Sequence, residues 1–106
     1  MTTIEIVRSQ KGHIDAFRIS GHSGYEESGK DIICSSISTA VNITVGMIEK
    51  LGLKYDYRVE EETATLQFDL QSTHDIAILV LDNFYEHVIA LSKEYKQYLK
   101  ITEKRR

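Results

Sequence analysis

Hydrophobic and polar residues alternate along four stretches of the chain, and this period of two predicts four β-strands. The stretches form two pairs, residues 2–8 with 14–20 and residues 53–59 with 64–70. A short polar segment separates the members of each pair, so we expect each pair to form an antiparallel hairpin. The residues predicted to face inward are Ile4, Ile6, Phe17, Ile19, Leu53, Tyr55, Tyr57, Val59, Ala64, Leu66, Phe68 and Leu70.

Two longer stretches repeat their apolar residues every three or four positions, which is the spacing of one helical face. The first covers residues 33–51 and is followed by Gly52, a residue suited to the left-handed conformation that ends many helices. The second covers residues 76–99. Before it, Ser72 and Asp75 have the spacing of a capping box.

The order of these elements is ββαββα, and it predicts the fold class. We expect an α+β fold of two layers, an antiparallel sheet with two helices packed on it. The 106 residues are expected to form a single domain, residues 1–106. The basic tail, residues 100–106, is expected to be the solvated end of the second helix, with a contact to RNA or ribosome as the rarer alternative.

Composition and charge argue against several classes of protein. The formal net charge of −3 is unlike that of nucleic-acid-binding modules, which usually carry a basic patch. The single cysteine excludes an internal disulfide. The first ten residues lack the apolar core of a signal peptide, and no apolar run approaches the roughly 18 residues of a membrane span. We therefore expect a cytoplasmic protein without membrane or direct nucleic-acid partners.

The segment GHSGYEESGKDIICSSIS, residues 21–38, joins the second predicted strand to the first predicted helix and holds the only cysteine. Part of it resembles the G-x-S-x-G elbow of serine hydrolases, with Gly21 and Ser23 in place. Tyr25 stands where the second glycine belongs, and that glycine lets the strand and helix pack closely around a strained turn. The elbow is therefore incomplete.

A second partial pattern in this segment is the phosphate-binding loop G-x-x-x-x-G-K, matched by Gly24, Gly29 and Lys30. The next position requires a serine or threonine hydroxyl to bind magnesium, but Asp31 occupies it. A carboxylate there would repel the nucleotide phosphates, so the pattern argues against nucleotide binding.

The third candidate chemistry pairs His22 with Cys34. A thiol attacks a carbonyl as the thiolate, which a helix N-terminus and a neighbouring imidazole both stabilise. If Asp31 caps the helix, Cys34 is the third helical residue and lies in the first turn, where the helix dipole acts. Taken without further context, a lone cysteine near a helix start is more often a small buried residue.

The whole segment resembles the signature of the ribosomal-processing cysteine protease family, Prp. That signature reads Gly-His-Ala, a variable loop, then Asp-(Ile/Val)-(Ile/Val)-Cys-(Ala/Ser)-(Ala/Gly)-(Val/Ile)-Ser. Ser23 replaces the usual alanine, and Ser35 and Ser36 stand where small residues are typical. The element order and length are also similar, so the resemblance covers essentially the whole chain. The residues that match as they stand are Gly21, His22, Asp31, Cys34 and Ser38.

The resemblance implies a cysteine endopeptidase that removes the short N-terminal extension of a large-subunit ribosomal protein, cutting after an aromatic residue. It also implies a homodimer that uses no metal or other cofactor. In the mechanism, Cys34 would be the nucleophile and His22 the base that takes its proton and later protonates the leaving amine. Backbone amides at the helix start would receive the oxyanion.

Other residues of the segment have supporting roles that stay open. Asp31 either caps the helix or orients His22, and Ser38, one turn after Cys34, either bonds near the thiol or simply packs. The loop between base and nucleophile is expected to be mobile and to admit substrate, and its acidic pair either meets basic substrate residues or is only solvated. The residues of this loop are Ser23, Gly24, Tyr25, Glu26, Glu27, Ser28, Gly29 and Lys30.

A different class of function is the alternative: a non-catalytic module for ribosomal-protein binding or assembly, in which Cys34 is incidental. Thiol reactivity separates the two hypotheses, because a cysteine held as thiolate alkylates rapidly at mildly acidic pH and a buried structural thiol does not.

Overall fold

The computed structural model describes residues 1–21 and 28–106, with side chains described for residues 1–21 and 32–106. The strands of this part form one sheet in the order β3-β4-β2-β1-β5. The α+β class and the two-layer arrangement are confirmed, but the sheet is mixed, because β5 runs parallel to β1. The elements are β1 (Thr2–Arg8), β2 (Ile14–Ser20), α1 (Ser28–Lys50), β3 (Tyr55–Glu60), β4 (Thr65–Leu70), α2 (Asp75–Glu94) and β5 (Leu99–Arg105).

The alternating pattern of the strands builds the core on one face of the sheet. Ile6 of β1 lies opposite Phe17 of β2, and Phe17 lies opposite Phe68 of β4. The Phe17 ring stacks on Phe68 at 5.1 Å and on Phe84 of α2 at 4.3 Å between ring centroids. Burial of each such side chain contributes about 1.5–3 kcal/mol. The three aromatic rings therefore fix α2 against the middle of the sheet.

Helix α1 is apolar enough over Ile32–Lys50, 19 residues with a mean hydropathy of 1.4, to span a membrane by length and composition. This corrects the expectation that no segment reaches that length and hydropathy. Its inward face accounts for much of the apolar content, because those side chains pack in the core against the sheet. They are Ile33, Ile37, Val41, Val45 and Ile48.

The end of α1 is as predicted, but the start of α2 is not. Gly52 adopts a φ of 71° and its N–H donates to the carbonyl of Glu49 at 2.9 Å, which confirms the left-handed cap. The N-cap of α2 is His74, whose Nδ1 accepts from the N–H of Ile76 at 3.1 Å. The predicted capping box is wrong, since α2 begins at Asp75 and Ser72 lies two residues before the cap.

The end of the chain differs most from the prediction. Helix α2 stops at Glu94, where the N–H of Tyr95 donates to the carbonyl of Leu91 at 2.9 Å, and the predicted continuation through Leu99 is wrong. The basic tail is likewise not a helix end but the strand β5. It pairs with β1 in parallel from Thr2 opposite Leu99 onward, and Leu99 is 2% exposed.

Candidate active site

Cys34 is the seventh residue of α1 and is partly exposed. The prediction that it lies in the first turn is wrong, because the helix begins at Ser28 rather than after Asp31. Both Gly29 and Asp31 are tolerated in the first turn of a helix. The first four N–H groups lack an intrahelical partner in any helix, and a negative charge such as that of Asp31 is favourable there. The free amides of the helix start therefore precede Cys34, and the helix dipole acts mainly on that earlier turn.

The Cys34 side chain opens into a cleft of about 240 Å³ between α1 and one end of the sheet. Cys34 and Ser38 contribute from α1, and Gly21 contributes from the end of β2. The rest of the lining is largely apolar, with the exposed carboxylates Glu60 and Glu61 from the β3–β4 hairpin. The apolar residues include Ile19, Ile37, Val41, Val59 and Leu66. We call this cavity the Cys34 cleft.

Gly21 has a specific reason to be glycine. Its φ of 92° lies in the left-handed region, and a Cβ at this position would overlap the carbonyl oxygen of Met1. The close approach to the start of β1 places the end of β2 in the wall of the Cys34 cleft. Gly21 therefore lines the Cys34 cleft, and the predicted base, His22, is the next residue in the sequence.

Several predicted site residues lie outside the described part of the chain. His22 and the loop residues Ser23, Gly24, Tyr25, Glu26 and Glu27 are not described, nor is the side chain of Asp31. The pairing of His22 with Cys34 and the orienting role of Asp31 therefore stay predictions. The capping role of Asp31 is wrong, since it is the fourth residue of α1.

Two further parts of the prediction fall on described residues. The predicted loop of residues 23–30 extends too far, because Ser28, Gly29 and Lys30 already have helical backbone. Ser38 is exposed and lines the Cys34 cleft, as its position one turn after Cys34 suggests. Within the described residues its hydroxyl has no hydrogen bond, to the thiol or to any other group.

The charged groups at the mouth of the cleft are acidic. The only hydrogen bond of the Glu60 carboxylate to a described residue is from the Thr63 hydroxyl at 3.2 Å, and no described cation pairs with Glu60 or Glu61. Elsewhere on β3, burial raises the pKa of the Tyr57 hydroxyl. The described residues contain no group of three or more histidine, cysteine or carboxylate side chains close enough to hold a metal ion.

The β3–β4 hairpin was not among the predicted site residues, although it forms one wall of the cleft. Its four-residue turn closes with the Ala64 N–H donating to the Glu61 carbonyl at 3.2 Å, with Ala64 at a φ of 51°. The hairpin reaches the cleft because β4 pairs with β2, which places Leu66 opposite Ile19. Nothing in the local pattern of either strand reveals that pairing, which joins two hairpins separated by α1.

A larger groove of about 930 Å³ runs between the two helices. Three of its residues on α1, Ile32, Ser36 and Ile43, lie about half a turn around the helix from Cys34 at 100° per residue. Within it the Ser36 hydroxyl lies 3.4 Å from Nε2 of the exposed His87. This groove does not include Cys34, so the predicted nucleophile lies in the smaller cleft.

An α+β domain with a partly exposed thiol in a cleft offers the nucleophile that a cysteine peptidase requires. The family model described as cysteine protease Prp matches residues 1–100. The chain belongs to this Prp family and is a cysteine peptidase, which confirms the resemblance of residues 21–38. No curated protein sequence matches the chain.

Solved structures support the fold. The chain is similar to an essential ribosomal processing protease Prp from S. aureus in complex with a substrate peptide, with a TM-score of 0.89 and 22% identity over 98% of this chain and 100% of that one. It is also similar to SMU.848 from Streptococcus mutans, with a TM-score of 0.88 and 20% identity over 100% of this chain and 96% of that one. At these identities the likeness establishes the shared architecture.

Proposed function

We propose that this peptidase removes the short N-terminal extension of a large-subunit ribosomal protein, cutting after an aromatic residue. The observation that carries the proposal is the position of Cys34, the single thiol of a Prp-family chain, in a cleft able to receive a peptide. A similar S. aureus structure is a ribosomal processing protease in complex with a substrate peptide.

In the proposed mechanism the Cys34 thiolate attacks the scissile carbonyl carbon, and a carbon–sulfur bond forms as the carbonyl becomes an oxyanion. His22 takes the thiol proton and gives it to the leaving amine as the peptide bond breaks. Water then attacks the thioester, with His22 as base; the carbon–sulfur bond breaks, the extension leaves with a free carboxylate and the Cys34 thiol is regenerated. The start of α1 is a candidate source of amides for the oxyanion, although those amides precede Cys34 by most of a turn or more.

The test is cleavage of the host's unprocessed ribosomal protein, followed by intact mass. We expect Cys34→Ala and His22→Ala each to lower the rate by more than about a thousandfold, because nucleophile and base act as one unit. His87→Ala is the matched control, since His87 is exposed and lies in the groove between the helices. It should retain full activity.

Two results would count against this proposal. Cleavage that survives Cys34→Ala in mass-verified protein would exclude the thiol mechanism. Tight binding of the ribosomal protein without cleavage by the unmodified chain would favour the non-catalytic binding or assembly module instead.

The proposal also includes a homodimer that works in the cytoplasm. Support for the homodimer comes from a set of exposed large apolar side chains on the two helices, which we call the outer helix face. Ile32 and Ile43 of this face line the groove between α1 and α2. The outer helix face comprises Ile32, Ile43, Met47, Ile76 and Leu79, each at least 46% exposed.

A further inference from the structure

The start of α2 is capped by a residue type that titrates. His74 is the N-cap, with an extended backbone at φ −158° and ψ 138°, and its ring nitrogen Nδ1 accepts from the N–H of Ile76 at 3.1 Å. Serine, threonine, aspartate and asparagine usually fill this position, because their side-chain oxygens accept a hydrogen bond at any pH near neutrality. Histidine differs from them, since its ability to accept depends on its protonation state.

The direction of this hydrogen bond fixes the protonation state of the ring. A peptide N–H can only donate, so Nδ1 of His74 must hold a lone pair, and the single ring proton is then on Nε2. A protonated imidazole carries N–H groups at both positions and accepts nothing. It would also place a positive charge at the positive end of the helix dipole, where it is unfavourable. His74 can therefore cap α2 only while its ring is neutral.

The charged groups near His74 leave this preference intact. The ring lies in a cavity of about 390 Å³ between the start of α2 and the β1–β2 hairpin, which contributes Lys11, His13 and Asp15. Lys11 and His13 disfavour a further positive charge, and the Asp15 carboxylate is already paired with an arginine. Asp75, the first residue of α2, favours a positive charge, but it is exposed and its attraction is weak. The capping bond and the helix dipole therefore decide the balance.

Loss of the cap affects a turn that carries exposed apolar side chains. The N–H of Ile76 is the group that the cap holds, and within the described residues His74 is its partner. When the ring binds a proton, this N–H loses its partner and the first turn of α2 can fray. Ile76 and Leu79, 46% and 68% exposed, lie in the first two turns and belong to the outer helix face.

We infer that His74 is a pH-sensitive cap, which holds the start of α2 while its ring is neutral and releases it when the ring binds a proton. A histidine in an unfolded chain binds a proton near about pH 6.5, whereas the folded chain binds one at His74 only by losing the capping bond. The unfolded state therefore binds more protons as the pH falls through this range, and stability declines. A second consequence, weaker association of two copies in acid, rests on the proposed dimer.

The test compares the unmodified chain with His74→Asn by urea unfolding at about pH 7.5 and about pH 5.5, on either side of the histidine titration. Asparagine is a strong N-cap whose amide oxygen accepts at both pH values, so the variant keeps the cap and removes its titration. Relative to this variant, the unfolding constant of the unmodified chain should rise about three- to tenfold on acidification. His22 and His87 are present in both proteins, so their titration cancels.

His13→Asn is the matched control, since His13 lines the same cavity but its ring accepts no hydrogen bond from a described residue. Relative to the unmodified chain, its unfolding constant should stay the same at both pH values. Hydrogen exchange at the Ile76 amide reports the cap itself. After correction for the intrinsic rate, its protection should fall about threefold or more on acidification in the unmodified chain and persist in His74→Asn.

An unfolding constant whose ratio to that of His74→Asn stays the same with pH would overturn the inference, as would equal pH dependence of the two asparagine variants. Sedimentation at the same two pH values tests the consequence for association. The dissociation constant should rise on acidification more in the unmodified chain than in His74→Asn. A chain that is monomeric at both pH values refutes the proposed dimer and keeps the cap, whereas equal dissociation constants in the two proteins refute the coupling alone.

Discussion

Gly21 directly follows the strand β2 and directly precedes the proposed base, His22. We predict that Gly21→Ala lowers the free energy of unfolding by about 2–4 kcal/mol, because the new methyl group meets both a left-handed φ and the Met1 carbonyl. We expect activity to fall as well, since relief of the clash must shift the backbone beside His22. Urea denaturation and cleavage rate measure the two effects.

Gly12 provides the matched control for this substitution. Its φ of 88° is nearly the same, but the nearest atom to an added Cβ is the flexible end of Arg105 at 3.7 Å. Gly12→Ala should therefore show only the conformational cost, about 1–2 kcal/mol, with activity unchanged. Equal losses in the two variants would show that the contact with Met1 contributes nothing.

At the scale of single residues, the proposed nucleophile could be predicted from the sequence, but the residues around it could not. Cys34 and Gly21 stand out because the motif demands those residue types in a fixed order. Val59 and Leu66 do not, since an apolar residue in a strand has the same local pattern whether it lines a cleft or a core. Only the pairing of β4 with β2 brings them to the thiol.

Among the elements, β5 contains a buried side chain whose contribution to stability can be tested directly. Leu99 is 2% exposed and packs in the core, so Leu99→Ala should lower the free energy of unfolding by about 2–4 kcal/mol. Lys100→Ala, one residue along on the exposed side, should change it by less than about 0.5 kcal/mol. Thermal or urea unfolding measures both, and a small loss for Leu99→Ala would mean that β5 is not docked.

The strand β5 also shows why the sequence predicts four strands well and misses the fifth. Each of the first four has a partner close in the chain and several alternating apolar residues. In β5 the alternation rests on Leu99 and Ile101 alone, and Leu99 also continues the helical spacing of α2. The partner that selects the strand, β1, lies at the other end of the described chain and leaves no local signal.

A small polar cluster joins α2 to the sheet beside β5. Glu103 accepts from Arg8 Nε at 2.8 Å and from the Tyr85 hydroxyl at 2.7 Å. The Arg8 guanidinium lies 5.0 Å from the centroid of the Tyr85 ring. Two hydrogen bonds lower the pKa of Glu103 from its ordinary 4.5. The bond from Arg8 has the larger effect, and the bond from Tyr85 has the smaller one.

This lowered pKa gives the stability of the protein a defined pH dependence. A carboxyl with a lower pKa in the folded state stabilises the fold fully above its ordinary pKa, and the contribution is lost as pH falls through the folded-state pKa. Glu103→Gln should therefore cost about 0.5–1 kcal/mol near pH 7, a small value because the pair is exposed. The difference from the unmodified chain should shrink as the pH is lowered from about 5 to about 3.

Glu62→Gln is the control for the pH series, since Glu62 is exposed and has no hydrogen bond or ion pair with any described residue. Its unfolding free energy should follow that of the unmodified chain across the same range. A Glu103→Gln difference that stays constant with pH would show that the cluster does not couple to the charge of this carboxyl.

For the whole molecule, the outer helix face predicts how two copies associate. Ile43 is 58% exposed and lines the groove between the helices. We expect the unmodified chain to sediment as a dimer at micromolar concentration, and Ile43→Glu to raise the dissociation constant by about tenfold or more. The fold should persist, since the side chain does not belong to the core.

The control for association is Arg58→Glu, a charge change at an exposed position on β3 that faces away from the helices. It should sediment like the unmodified chain. A dimer unaffected by Ile43→Glu would place the interface elsewhere, with the half-exposed tyrosines of β3 as the next surface to test. A monomer in the unmodified chain would exclude the dimer itself.

The single, partly exposed cysteine has a consequence for redox control. When peroxide oxidises Cys34 to a sulfenic acid, the chain holds no second thiol that could trap it as an internal disulfide. A small external thiol can intercept the sulfenic acid reversibly, whereas further oxidation to the sulfinic acid would permanently remove the proposed nucleophile. Peptide cleavage by the proposed Cys34 mechanism should therefore depend on the supply of reduced small thiols, and brief oxidative stress should lower the cleavage rate.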